Sequence, residues 1–111
     1  MSEYQLKIGD LNKRIIIQTF SITVSDSGFE TEGWNTYKTI WASATNLHGR
    51  EFYSAMAVHS EKTIKFSIRY MKDLDTSMRI LFDNKSYNIT SIDNIKYGNN
   101  FMEIQALEVV L

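Results

Sequence analysis

The chain has 111 residues, 12 basic against 13 acidic side chains for a net charge of −1, and neither cysteine nor proline. Without thiols there is no disulfide framework, thiolate metal site or cysteine nucleophile, and the balanced charge gives no whole-molecule attraction to nucleic acid or to an anionic membrane. A hydrophobic share of 43% with 23% charged residues is that of a globular protein, and the length fits one domain, 1–111, around one core.

Met1-Ser2-Glu3-Tyr4-Gln5 is polar and lacks the basic-then-apolar order of a signal peptide. No apolar run approaches the ~20 residues of a membrane span, so no membrane partner is expected. The first strand is expected from about Lys13 to Val24, rich in Ile, Thr, Val and Phe, side chains that suit a pleated surface. Ser25-Asp26-Ser27-Gly28 then ends it with turn chemistry. A second strand is expected over Asn35–Asn46. The third, Glu61–Tyr70, alternates Ile64, Phe66, Ile68 and Tyr70 with Thr63, Lys65, Ser67 and Arg69, the period of a half-buried strand.

Strands over Met78–Phe82, Ser86–Tyr97 and Phe101–Val110 follow, with Asp83-Asn84-Lys85 and Gly98-Asn99-Asn100 as the hairpin turns. In the last of these the apolar set moves from Met102, Ile104 and Ala106 to Leu107, Val109 and Leu111, which predicts a bulge or a barrel corner. Between the second and third strands, Phe52, Ala55, Met56 and His59 recur at helical spacing after Gly49, predicting one short amphipathic helix within a long connection. Six strands and one inserted helix make a mostly antiparallel barrel or sandwich. Trp41, Phe66 and Tyr70 are expected in its core.

The chemistry is sparse. His48 and His59 lie on opposite sides of the predicted helix with no acidic cluster beside them, so no metal site is expected. No nucleophile elbow or phosphate loop is present, and neither catalytic residues nor a cofactor is expected. Charge is uneven along the chain: residues 38–74 hold six basic residues against three acids, a balance of +3, while each flank is −2. Lys62, Lys65, Arg69 and Lys72 therefore form a candidate basic stripe. It could face a neighbouring subunit, DNA phosphate or solvent.

Motifs in order resemble a known family. Leu11-Asn12-Lys13-Arg14-Ile15-Ile16-Ile17-Gln18, then Asp26-Ser27-Gly28-Phe29 with Trp34, then Trp41-Ala42-Ser43 with Leu47-His48-Gly49-Arg50-Glu51 are similar to segments of the head–tail joining (head closure, or stopper) proteins of tailed phages. Ile68-Arg69-Tyr70, Met78-Arg79-Ile80 and Tyr87-Asn88-Ile89 complete the series. The resemblance implies a small antiparallel six-stranded β-barrel that is a structural virion protein, without enzymatic activity. It implies a homo-oligomeric ring, dodecameric by analogy, below the portal and its adaptor. There it would close the DNA-filled head, with packaged DNA in the channel, and receive the tail terminator or tail proteins. The location implied is the virion neck, with assembly in the host cytoplasm.

The connection at about 47–60 corresponds to the family segment that projects into the channel. As a short helix here, it would either plug the channel or dock on a neighbour, through Leu47, His48, Gly49, Arg50, Glu51, Phe52, Tyr53 and Met56. Arg14, Arg69 and Arg79 fall inside matched motifs and are candidates for buried-edge or intersubunit pairs. Two other functions fit the residues less well: a tail terminator or neck protein, and an oligonucleotide-binding small barrel using Phe66 and Tyr70 beside the basic residues.

Overall fold

A computed structural model describes residues 8–46 and 63–109. After a 3-10 turn over Ile8–Asp10 come six strands: β1 (Lys13–Val24), β2 (Glu30–Asn46), β3 (Thr63–Arg69), β4 (Arg79–Phe82), β5 (Lys85–Asn94) and β6 (Phe101–Glu108). They close into an antiparallel barrel in the order β1-β2-β3-β6-β5-β4. The predicted helix and the stripe residue Lys62 lie outside the described residues.

Strand alternation builds the core. Ile15 and Ile17 of β1, Phe66 and Ile68 of β3, Ile80 of β4, Tyr87 and Ile89 of β5, and Met102, Ile104 and Ala106 of β6 point inward and are buried. Phe66 is fully enclosed, edge-on to Phe82 at 5.5 Å and to Tyr87 at 5.8 Å between ring centroids, the geometry that aromatic quadrupoles favour. Met71, Leu74 and Met78 cap one end, and the Met71 N–H reaches the Met102 sulfur at 3.2 Å.

Two irregularities re-aim side chains. Between Ile17 and Gln18 of β1 the pairing with β2 skips Tyr37. Between Ile89 and Ser91 of β5 the pairing with β6 skips Thr90, so the inward set passes from Tyr87 and Ile89 to Ile92, opposite Ile104. The bulge expected on the last strand thus falls on its neighbour, opposite Ala106. The β3–β6 register itself runs unbroken from Arg69↔Phe101 to Thr63↔Leu107.

The turns follow residue chemistry. Asp83 and Asn84 both have positive φ, 53° and 62°, and connect the paired Phe82 and Lys85 as a two-residue hairpin loop of the primed class. At the first hairpin the Gly28 N–H donates to the Ser25 carbonyl at 2.9 Å and the Ser25 N–H to the Phe29 carbonyl at 2.8 Å. Gly28 sits at φ +85°, a type I turn closed by a left-handed glycine.

Candidate functional site

The hairpin formed by β1 and β2 is longer than the barrel needs. β4 covers β1 only at Ile16–Gln18, and β3 covers β2 only at Ser43–Asn46. Beyond these points Thr19–Val24 pairs with Glu30–Asn35 alone. At ~3.4 Å per residue this two-stranded arm extends about 20 Å from the barrel wall, and the molecule measures 59 × 30 × 22 Å.

Apolar parity inverts where the arm begins. Within the barrel the odd residues Ile15 and Ile17 are buried; in the arm the even residues Phe20, Ile22 and Val24 are apolar, and they are 55%, 57% and 65% exposed. Thr19, Ser21 and Thr23 take the other face. Directly opposite partners share a face, so Trp34, Glu32 and Glu30 stand beside Phe20, Ile22 and Val24 respectively. Phe20 meets Trp34 edge-on at 5.4 Å, and Phe29 is exposed at the tip. Residues 18–36 carry Asp26, Glu30 and Glu32 and no lysine or arginine.

Two contacts fix the root of the arm. The Arg79 guanidinium stacks 4.3 Å from the Trp34 ring, and its Nε donates to Gln18 Oε1 at 2.8 Å. Partial burial draws the Arg79 pKa below its ordinary value. On the other side the Tyr37 hydroxyl donates to Asp73 Oδ2 at 3.0 Å, and that carboxylate acceptor raises the tyrosine pKa.

A groove opens where β2 parts from β3. Leu11, Lys38, Ile40, Trp41, Arg69, Tyr70 and Met71 line most of a cavity of about 720 Å³. Arg69 and Tyr70 also border a second hollow of about 610 Å³ that reaches Lys96 and Phe101. Lys38, Arg69 and Lys96 are the charged groups on these walls, and no carboxylate is among the described lining residues.

Trp41 and Tyr70, expected in the core, belong to this exterior instead, and only Phe66 is enclosed. Ala42 takes the inward position on β2, fully buried in the same core cluster as Ile15 and Phe66. Trp41 therefore faces out under the Arg14 guanidinium, 4.6 Å from its ring. β3 ends at Arg69, and the Tyr70 N–H donates to the Asn100 carbonyl at 2.9 Å as the chain leaves the strand.

The described stripe residues have different surroundings. Lys65 lies 3.9 Å from Glu103, Arg69 forms the groove wall, and Lys72 is exposed. Leu47, His48, Gly49, Arg50, Glu51, Phe52, Tyr53 and Met56 lie outside the described residues. Among those described, no three His, Asp or Glu side chains converge as a metal site. The arm and the groove were missed as sites in the sequence, although the parity inversion inside Lys13–Val24 was visible there.

The chain matches the family model described as phage head completion protein over residues 6–109. Its backbone resembles the solution structure of protein SF1141 from Shigella flexneri 2a, with a TM-score of 0.71 and 29% identity over 93% of this chain and 96% of that one. It also resembles a chain of the virion of a native gene transfer agent particle, with a TM-score of 0.56 and 13% identity over 91% of this chain and 97% of that one; at that identity the likeness concerns the fold. No protein with a curated description matches.

Proposed function

Because the chain belongs to the phage head completion protein family, we propose that this structural protein works as a ring below the portal and its adaptor, closing the DNA-filled head and presenting the platform to which tail proteins attach. The observation that carries this reading is the arm. A two-stranded ribbon that exposes Phe20, Ile22 and Val24 adds nothing to its own core, and exposed apolar patches mark association surfaces. A ring protein needs many moderate contacts rather than a catalytic cleft, and we assign the protein no enzymatic step.

In this reading the segment 47–60 plugs the channel or docks on a neighbouring subunit, and the basic stripe of Lys62, Lys65, Arg69 and Lys72 faces a neighbouring subunit or packaged DNA. The oligonucleotide-binding alternative loses one of its two rings, because Phe66 is fully enclosed in the barrel and base stacking requires an exposed ring; of the pair, Tyr70 alone is exposed, beside Arg69.

Deletion of the gene from a producing phage or prophage tests the reading. Heads that fill and then lose DNA, or that fail to join tails, are expected. Normally filled, tailed particles would overturn it, and so would labelling that finds the protein on the tail tube instead of the neck.

A further inference from the structure

The arm and the groove differ in chemistry in a way that makes them complementary. One is an apolar ridge of Phe20, Ile22 and Val24, with half-buried Trp34 at its root, flanked by Glu30 and Glu32. The other is a concave apolar trough of Leu11, Ile40, Trp41 and Tyr70, flanked by Lys38, Arg69 and Lys96. With Asp26 the arm carries three negative charges and no positive one. The described groove walls carry three positive charges and no negative one.

The two cannot meet within one chain. The arm is the direct continuation of the strand whose residues 38–41 form the groove wall. Arg79 stacked on Trp34 and Tyr37 bonded to Asp73 hold it pointing away from the barrel. A surface and its complement on different parts of the same chain form a heterologous contact, which repeats from subunit to subunit and closes into a ring when the rotation permits.

Edge chemistry supports the same conclusion. Within the described residues, β1 beyond Gln18 and β2 before Ser43 each have one side with no strand partner. Proteins that keep such edges free blunt them with charged side chains, lysine above all, with proline or bulges, or with a covering loop. The arm has neither lysine nor proline. A ribbon that exposes Phe20, Ile22 and Val24, with Glu30 and Glu32 as the only charges on its two strands, is a liability on a free surface and an asset when a neighbour covers it.

We infer that the arm of one subunit seats in the groove of a second copy of the same chain, with Phe20, Ile22 and Val24 against Leu11, Ile40 and Trp41, and Glu30 and Glu32 toward Lys38 and Arg69. This contact rests on the ring reading above and names the surface through which the ring closes.

Because the chain has no cysteine, engineered disulfides report on the contact cleanly. The full-length protein carrying Ile22→Cys and Thr39→Cys together, oxidised in purified particles and as isolated protein at high concentration, is expected to give a ladder of covalent multimers. The pair Ser21→Cys and Thr39→Cys, with the arm cysteine on the opposite face, is expected to give none. Adding Glu30→Lys and Glu32→Lys to the first pair should reduce the ladder roughly tenfold, as expected when like charges are juxtaposed at an interface. Lys38→Glu and Arg69→Glu in the same chain should restore it.

Particles that contain the first pair but yield no ladder would overturn the arm-in-groove contact and leave the head-completion ring standing. Crosslinking of the groove position to a different virion protein would do the same. Absence of the wild-type protein from filled, tailed particles would instead overturn the ring reading. The isolated protein would then decide the contact by itself, a ladder sustaining it and monomers refuting it.

Discussion

Arg79 is the bolt between barrel and arm, and its removal has a calculable effect. Arg79→Ala abolishes the stack on Trp34 at 4.3 Å and the hydrogen bond from Nε to Gln18 at 2.8 Å. A partly buried cation–π contact contributes about 1 kcal/mol. A charged hydrogen bond contributes about 1.5–3 kcal/mol when fully buried, and partial exposure at this site reduces that to about 1 kcal/mol. The sum is about 2 kcal/mol. It falls on the arm, because beyond Gln18 the ribbon has no core of its own, so the loss appears as local opening rather than global unfolding. Two kcal/mol corresponds to roughly a 30-fold change in an opening equilibrium. Hydrogen exchange read by mass spectrometry should therefore show residues 19–24 and 30–35 exchanging up to about 30-fold faster, with β3 and β6 unchanged. Arg79→Lys keeps the charge but not the planar fork and should show most of the same loss. A cycle with Trp34→Ala should return a coupling of about 1 kcal/mol. Unchanged exchange in the arm, or equal acceleration throughout the barrel, would refute the tether.

Gly28→Ala places a Cβ at φ +85° and should cost about 1–2 kcal/mol, confined to protection of the hairpin tip, since no atom lies close enough to clash. Phe66→Ala empties the centre of the core and should cost about 3–5 kcal/mol in a denaturant titration, a large share of a typical domain's stability. Lys65→Glu, set against Glu103, should lower stability by no more than about 1 kcal/mol while sparing multimer formation, whereas Arg69→Glu should weaken multimers; equal effects of the two on assembly would contradict the groove assignment. Asp75 has a carboxyl held below its ordinary pKa by hydrogen bonds from the Ser77 hydroxyl and backbone N–H. A depressed carboxyl adds stability that is complete above the unfolded value, about 3.9, and is lost as pH falls through the lower folded value. Acid titration of Asp75→Asn should lack that portion of the loss, and identical acid profiles for the two proteins would argue against the turn bonds.

The barrel was legible because its strands obey one rule over short stretches. Alternation in Thr63–Arg69 and Phe101–Ala106 assigns each side chain to a face without reference to anything distant, and the hairpin at Asp83-Asn84 is written in its residue types. The rule fails where parity is set by a partner strand. Trp41 reads as core because large aromatics usually are, yet Ala42 holds the inward position and the tryptophan stands outside. The irregularity expected near Ala106 is real in the pairing but sits on β5 at Thr90. Apolar pattern shows that a face changes, whereas only the register shows which strand absorbs the extra residue.

The arm shows the same limit and what lies beyond it. Lys13–Val24 is one unbroken run of strand-forming residues, twice the length of an average strand, and nothing local marks where the barrel ends. What marks it is the shift of apolar residues from odd positions to even ones between Ile17 and Phe20. In β1 alternation itself continues without a bulge, because the skipped residue, Tyr37, is on β2. The backbone therefore does not turn the new apolar set inward; the sequence moves its apolar residues onto the outer face. A chain that merely needed a longer hairpin would have kept Thr and Ser on both faces. Placing Phe20, Ile22 and Val24 outward, with acids opposite two of them and bases around the groove, is the pattern from which the contact between copies is inferred, in which a second barrel would supply the missing half of the core.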